Sequence, residues 1–336
     1  MSQVPYVNDE TEFIIARRDF AIQRQPLGQL RLYRQGQSPN IRGIQGCIAS
    51  RKLHQGTCIL SEGCLFSVQN PNSANEIERA RRGLLPQDQL AFDGLSDGGQ
   101  PNATPLQRFQ INGIEMLEQI GREPRPRSGV FLEVSKFNHS CVPNAHLMWN
   151  QTSEQATIFA VRDILKTEEI FVSYIREEYV TQAHRREPLR DRGFHCRCRA
   201  CDLNNPFGQR SDERRGQLSS LDRSIDELEA LNEQGHSIDV VAKLIEAFIR
   251  LICREELYGT PLATASGRLA EYYYQEFTYP NQVRDTSRAY LETIKRFALS
   301  EARRAFAWSL IATGEHSLQT RDCLARIRRI DRLRVT

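Results

Sequence analysis

The chain has 336 residues, 40% of them apolar and 26% charged, which is the composition of a globular protein long enough for two domains or for one domain with large insertions. The formal charge is only +3 and basic residues alternate with acidic ones, so direct nucleic-acid binding is not expected. No apolar run approaches the roughly 20 residues that span a bilayer, and the first residues lack the basic-then-apolar order of a signal peptide, so we expect a soluble protein, cytoplasmic and/or nuclear, without membrane partners.

The first half of the chain changes character twice. After an N-terminal extension (residues 1–40), residues 41–68 alternate short apolar stretches with glycines and polar turns, which predicts short strands. Residues 70 to about 128 predict a helical insertion, because residues 75–85 and 105–119 show helical spacing. The segment Arg122 to Arg127 contains two prolines, which predicts irregular structure there.

Strand patterns return after the insertion, so the β core is discontinuous in sequence. The predicted strands cover residues 129–135, 145–149, 156–161 and 169–174. Beyond Asn205 the spacing is helical to the end, with apolar stripes that close at Gly235 and Gly259. Successive helices joined by short turns predict stacked antiparallel pairs, a helical-repeat-like domain.

An unusually polar octet, FNHSCVPN at residues 137–144, lies between two of the predicted strands. Its side chains can bond to backbone or ligand, and its proline excludes a continuous helix. Taken alone, the octet favours a structured turn around a buried histidine.

Three further motifs change that interpretation. Residues 45–49 and 56–62 read QGCIA and GTCILSE, residues 167–174 read TEEIFVSY, and residues 194–201 read FHCRCRAC. In order and spacing these segments, with the octet, resemble the SET-domain protein-lysine methyltransferases, in the SMYD-like branch and the related fungal SET proteins. The resemblance covers residues 41 to 202.

The resemblance implies an α+β fold. It consists of a SET domain of short β-sheets over residues 41–176 with the helical insertion, a zinc-binding post-SET segment over residues 177–204, and an all-α, helical-repeat-like C-terminal domain over residues 205–336. No second cysteine cluster occurs in the sequence. The MYND zinc finger of SMYD proteins is therefore expected to be absent from the insertion.

The resemblance also implies a cofactor, S-adenosylmethionine, and residues that hold it. Asn138 and His139 would bind its methionine and adenine portions, and Gly46, beside Gln45, would allow the backbone to approach closely. Asn112 resembles a cofactor-contacting asparagine of the insertion. Phe194 would pack on the adenine. Tyr174 would line the channel in which the lysine amine meets the methyl group.

Tyr174 is the predicted catalytic residue. Methyl transfer from a sulfonium to an amine is an in-line displacement, so the protein chiefly supplies alignment and a dry channel. A tyrosine hydroxyl suits such a channel because it can orient a neutral amine. An apolar channel also favours the neutral form of the substrate lysine. The alternative is that Tyr174 is a half-buried residue of a strand and has no catalytic role.

The nine cysteines are scattered singly except for Cys196, Cys198 and Cys201, which is not the pattern of a disulfide framework. Three thiolates so close together predict metal ligation, and a closed zinc site needs a fourth ligand. The resemblance nominates Cys141, with one structural Zn²⁺, ahead of His195. The other cysteines are expected to be small core residues, and they are Cys47, Cys58, Cys64, Cys253 and Cys323.

The sequence departs from the family pattern at three positions. The opening turn, residues 42–46, lacks the usual glycine two residues before Gly46. Thr167 replaces the glycine of the G-E-E-I motif, which we expect to be a tolerated turn change. Arg192 stands where many relatives have a tyrosine that encloses the target amine. If its guanidinium lies near the lysine channel, it would repel an ammonium and could pair with an anion. The alternative is that Arg192 points to solvent and another residue completes the channel.

Three functions follow from these observations. The first is S-adenosylmethionine-dependent methyl transfer to a lysine of a protein or peptide substrate, histone or non-histone, with the C-terminal helices forming one wall of the substrate groove. The second is a SET-fold protein with altered chemistry on an anionic or small-molecule ligand. The third is a catalytically inactive SET scaffold whose C-terminal helices recruit a protein partner.

Overall fold

A computed structural model describes residues 32–39, 44–120, 123–176, 179–231, 238–278 and 287–334. Most of the predicted N-terminal extension, together with Arg42, Gly43 and Gly235, lies outside the described residues. Strands occupy the first half of the chain and long helices the second half, as predicted. The domain boundaries at residues 41, 177 and 205 stay predictions.

The described residues form ten short strands in four small sheets. β1 pairs with β2, β9 lies between β3 and β8, and β6 lies between β4 and β5, all antiparallel, whereas β7 and β10 are parallel. Apolar side chains of these sheets form one core that includes Phe131, Phe137, Ile158 and Ile164. The strands are β1 (Tyr33–Gln37), β2 (Gln45–Ala49), β3 (Cys58–Gly63), β4 (Phe66–Val68), β5 (Ile114–Ile120), β6 (Glu123–Val130), β7 (Asn138–His139), β8 (Ala145–Asn150), β9 (Gln155–Ala160) and β10 (Phe171–Val172).

The insertion is helical only in its first part. It contains α1 (Ala74–Arg82), α2 (Pro86–Asp93) and α3 (Pro105–Asn112), followed by the strands β5 and β6. Helix α3 begins in a capping box in which Thr104 and Gln107 bond each other's backbone. The prediction of a helix over residues 105–119 is therefore correct to Asn112 and wrong beyond it, where the chain turns at Gly113 into a strand.

Residues 123–127 belong to β6, so the prediction of irregular structure there is wrong, while Arg122 lies outside the described residues. β6 pairs with β5 over residues 123–129 but with β4 only at residues 128–130. Pro124 and Pro126 thus lie where the strand has a partner on one side only. Being two residues apart, they share one orientation, so both missing N–H groups can face the open side.

The later strand predictions are correct for β8 and β9 and too long elsewhere. Of residues 129–135, only the first two continue β6, and Val134–Lys136 form a 3₁₀ turn. Of residues 169–174, only Phe171 and Val172 are in β10, which pairs with Asn138 and His139. These two-residue strands are too short to show a period, and their position depends on the rest of the fold.

The second half of the described chain contains six helices, and each of the last five packs on its neighbour in sequence. Tyr258 stacks on Trp308, with ring centroids 5.6 Å apart, and Gly259, at φ +91°, follows the end of the helix Ile238–Glu255 as the sequence predicted. None of the helices in the described ranges is long and apolar enough to cross a membrane. The helices are α4 (Gln182–Asp191), α5 (Pro206–Leu231), α6 (Ile238–Glu255), α7 (Thr260–Thr278), α8 (Arg288–Thr313) and α9 (Leu318–Asp331); we call α5 to α9 the helical region.

The helical region packs directly on the sheet that contains β8 and β9. Gly314 ends α8 at φ +76°, and a Cβ there would lie 2.8 Å from the Phe159 ring of β9. The hydroxyl of Thr260, the first residue of α7, lies 2.9 Å from Nε2 of His146 in β8. Strand side chains and helix ends therefore form one continuous interface.

His146 is expected to make this interface sensitive to acid. Burial lowers its pKa to about 4, below the ordinary 6.5. A folded-state pKa below the unfolded value means that stability is complete above pH 6.5 and is lost as pH falls toward 4. Between pH 7 and pH 5 the free energy of unfolding should therefore fall by about 1–2 kcal/mol less in His146→Gln than in wild type. Urea unfolding at pH 7 and pH 5 measures it, with the exposed His316→Gln as control; equal pH dependence in wild type and His146→Gln would contradict the prediction.

Candidate functional site

The parallel pair β7–β10 is the centre of the candidate site. It brings the polar octet beside the segment that ends in Tyr174, and Ser140 N–H donates to the Val172 carbonyl at 3.1 Å. After α4 the chain comes back to this pair of strands. The ring centroid of Phe194 lies 6.0 Å from the ring centroid of His139 and 6.0 Å from that of Tyr174. Segments far apart in sequence therefore converge on one place.

Asn138 connects this pair to the glycine of β2. Its Nδ2 donates to the Gln45 carbonyl at 2.9 Å and to Oε1 of Glu169 at 2.8 Å. A Cβ on Gly46 would lie 2.2 Å from that same Glu169 oxygen and 2.9 Å from Asn138 Nδ2, so only glycine fits. Since both amide hydrogens of Asn138 are used within the protein, its Oδ1 is the atom that can accept from a ligand.

His139 is buried and contacts both Tyr174 and Cys141. Its Nδ1 accepts from the Tyr174 N–H at 3.0 Å, so Nε2, 3.3 Å from the Cys141 sulfur, carries the hydrogen. Burial lowers the pKa of His139 to about 3, which keeps the ring neutral. The histidine therefore links the Tyr174 backbone to the cysteine that follows in the octet.

Tyr174 has its hydroxyl fixed and its ring enclosed. The hydroxyl donates to the Phe137 carbonyl at 2.5 Å, and burial raises its pKa to about 12. With its hydrogen committed, the phenol oxygen offers lone pairs to an approaching N–H group. This is the arrangement that can orient a neutral amine.

Arg192 points into the site rather than to solvent. Its guanidinium donates to the carbonyls of Ile111 at 2.7 Å and Gly113 at 3.3 Å, and its Cζ lies 5.3 Å from the centre of the Tyr174 ring. Burial lowers the pKa of Arg192 below its ordinary value, but a guanidinium remains charged at neutral pH. Across the described ranges no carboxylate pairs with it, so it contributes an uncompensated positive charge.

Asn112 lies beside this guanidinium, between the two carbonyls that Arg192 contacts. Its Nδ2 donates to the carbonyls of Ser96 and Arg108, each at 2.8 Å, and it is buried. Only its Oδ1 could reach a cofactor. Asn112 thus first of all holds the insertion loop, and a cofactor contact there stays a prediction.

The four predicted metal ligands come together. The sulfurs of Cys141, Cys196, Cys198 and Cys201 all lie within 4.8 Å of one another, with Cys141 3.5 Å from Cys201 and 4.0 Å from Cys196. A tetrahedral zinc with Zn–S bonds of about 2.3 Å separates its sulfurs by about 3.8 Å. Hydrogen bonding with Cys141 lowers the pKa of Cys201 below its ordinary value. The donor set and its spacing therefore fit one structural zinc, without the exposed His195.

The other cysteines follow the core prediction only in part. Cys47 and Cys323 are buried, Cys58 and Cys64 are half-buried, and Cys253 is exposed on α6. For Cys253 the prediction is wrong, because its neighbours Leu251 and Ile252 belong to the core of the helical region whereas Cys253 itself is at the surface. Three buried charged residues near the site were also not foreseen, namely Glu169, Arg185 and Arg215.

Thr167 lies in a turn, and its backbone conformation there is one that favours glycine. Its φ is +72°, in the left-handed region that β-branched residues rarely adopt. Thr167→Gly should raise the free energy of unfolding by about 1 kcal/mol. The matched change Thr57→Gly, at a residue without positive φ, should lower it. Chemical denaturation of both variants measures this, and a loss of stability in Thr167→Gly would contradict the strain argument.

Residues 45–175 match the family model for the SET domain. The chain is 33% identical over 193 residues to the histone-lysine N-methyltransferase set5 of Schizosaccharomyces pombe, which covers 56% of this chain and 57% of that protein. It is 40% identical over 175 residues to the N-lysine methyltransferase SMYD2 of Homo sapiens, which covers 49% of this chain and 38% of that protein. The chain thus spans 57% or less of the length of these relatives.

Proposed function

We propose that this chain, whose residues 45–175 match the SET domain and which is similar to the lysine methyltransferases set5 and SMYD2, binds S-adenosylmethionine and transfers the methyl group to a lysine side chain of a protein. The observation that carries the proposal is the convergence of Gly46, Asn138, His139 and Tyr174 on one place. Relatives named as histone-lysine and as protein-lysine methyltransferases support both substrate classes.

The cofactor-binding residues would act through the atoms that the protein itself leaves unused. Asn138 would accept from the cofactor's ammonium group through Oδ1, and Gly46 would leave the backbone open beside it. Phe194 would pack on the adenine, at right angles to Tyr174 (87° between the rings). When bound, S-adenosylmethionine supplies an electrophilic methyl group on its sulfonium.

Tyr174 would orient the substrate amine. Because its hydroxyl hydrogen is held by the Phe137 carbonyl, the phenol oxygen can accept an N–H of lysine and point the nitrogen lone pair along the transfer axis. The amine has to lose its proton first, and the Arg192 charge beside Tyr174 favours the neutral form. Cys141, Cys196, Cys198 and Cys201 would hold zinc, which fixes Phe194 near the site.

Calorimetry with S-adenosylmethionine tests the proposal. We expect micromolar binding, about −8 kcal/mol, and at least tenfold weaker binding by Asn138→Ala, with Asn150→Ala in the β8–β9 turn as the matched control. Incubation with tritiated cofactor and histone or peptide mixtures should then place label in lysine after acid hydrolysis. A folded, zinc-loaded chain that binds no S-adenosylmethionine would disprove the methyltransferase function.

Arg192 favours one second candidate, transfer to or binding of an anionic ligand. A half-buried guanidinium with no carboxylate partner among the described residues is a site for a carboxylate or phosphate. If this second function holds, label should appear in small molecules, and Arg192→Met should abolish it. If lysine methylation holds, Arg192→Met should keep protein labelling but shift the acid limb of its pH profile to higher pH, because the substrate amine regains its ordinary pKa.

A further inference from the structure

Two arginines with the largest fully buried side chains flank the cysteine cluster. Arg185 of α4 is 1% exposed and Arg215 of α5 is 0% exposed. Full burial of a guanidinium is costly unless opposite charge lies beside it. Their position therefore requires an explanation in terms of the surrounding charges.

Arg185 has sulfur and backbone partners but no acid. Its guanidinium donates to the carbonyls of Val180 at 2.5 Å and Ala200 at 3.2 Å and lies 3.6 Å from the Cys201 sulfur. Its Nε has no partner. No carboxylate of the described residues forms an ion pair with it, so the cysteine cluster is the available counter-charge.

Arg215 joins the cluster to the helical region. It donates to the Cys141 carbonyl at 2.5 Å and, through Nε, to Glu255 of α6 at 2.8 Å. Glu255 is fully buried and also accepts from Ser211 and, at 2.7 Å, from Arg214. Glu255 therefore connects α5 to α6 directly beside the cluster.

The buried charge of Arg185 is compensated if all four cysteines are thiolates bound to a divalent ion. Zinc with four thiolates carries a net charge of about −2. Arg185 places one positive charge directly against this cluster. Without metal, the thiols would be largely neutral, and Arg185 would have no negative charge beside it among the described residues.

We propose that Arg185 and Arg215 are positioning residues of the metal centre, Arg185 by compensating the thiolate charge and Arg215 by fixing the Cys141 backbone to the helical region. Metal retention then depends on residues far outside the cysteine motif. The inference rests on the zinc site proposed above.

The test uses the full chain and two measurements besides activity. Zinc content of the purified wild type comes first, because a folded chain without zinc would overturn the metal centre itself. Competition with a chromogenic chelator should then show zinc affinity lowered about 10–100-fold in Arg185→Met and Arg215→Met. Arg268→Met, which replaces an arginine of α7 paired with three carboxylates of α5, is the control and should retain wild-type affinity.

Thermal unfolding with and without metal separates charge compensation from ordinary packing. Replacing an uncompensated buried charge by an apolar side chain should leave the metal-free Arg185→Met protein as stable as metal-free wild type or more stable, while the zinc-loaded form loses stability. A packing role would lower both. Zinc affinity within twofold of wild type in both variants, or equal destabilisation of the metal-free and zinc-loaded forms, would overturn the proposal. Should Arg215→Met not fold, Arg215→Lys should show the same loss of affinity in weaker form.

Discussion

Substitution of Tyr174 by phenylalanine is expected to lower the rate of methyl transfer about 100-fold, while the dissociation constant for S-adenosylmethionine changes by less than about threefold. The change removes one oxygen that donates to the Phe137 carbonyl and would orient the substrate amine. The ring, which packs with its centroid 5.4 Å from that of His139, stays. An effect on turnover without an equal effect on cofactor binding is therefore the signature of misalignment.

Single-turnover kinetics with saturating cofactor measure this effect. Tyr273→Phe is the matched control, since Tyr273 also uses its hydroxyl in one hydrogen bond, to Glu246 at 3.0 Å, but lies in the helical region. The control should keep its turnover. If Tyr174→Phe turned over as fast as wild type, Tyr174 would be a packing residue of the strand end and the catalytic assignment would fail.

The second large effect concerns the metal. Cys198→Ser is expected to reduce the zinc content from about one ion per chain to nearly none. The loss removes what fixes the segment after α4, so Phe194 should detach from His139 and Tyr174, and cofactor binding should weaken with it. Metal analysis measures the zinc content, hydrogen exchange of residues 192–202 measures the detachment of the segment with Phe194, and calorimetry measures cofactor binding.

Cys253→Ser is the control for the second prediction, because Cys253 is an exposed cysteine outside the cluster. It should keep zinc and cofactor binding. Full zinc content in Cys198→Ser would show that three cysteines suffice, and loss of zinc with undisturbed cofactor binding would separate the metal from the proposed cofactor site.

The sequence predicted most of the cysteine cluster and the octet because these features depend on residue type and local spacing. It could not predict Arg185 and Arg215, since nothing in the sequence separates these two buried arginines from the others among the 45 Lys and Arg residues of the chain. Arg215 is buried where α5 approaches Cys141, a contact between distant segments, and Arg185 is buried where α4 packs against the Cys201 end of the cluster. The direction of Arg192 was open for the same reason, as it depends on the carbonyls of the insertion.

Strand β6 shows a different limit. Its two prolines predicted irregular structure, because proline cannot donate a hydrogen bond within a ladder. That rule is correct, but the segment is a strand all the same. The exception depends on which side of the strand is paired, and that is decided by the short partner β4. Thr167 was likewise judged from its place in a motif, whereas its cost depends on a φ angle that the antiparallel bridge between Ile48 and Glu169 helps to impose.

The contact between Arg215 and Cys141 also orders events in time. The cysteines precede Arg215 in the chain, and Arg215 precedes its carboxylate partner Glu255 by 40 residues. A nascent chain at the ribosome therefore presents four thiols to metal before Glu255 has been synthesised. At roughly 5–20 residues per second, the finished ligand set waits several seconds for the group that fixes it, an interval in which zinc capture competes with oxidation of the exposed thiols.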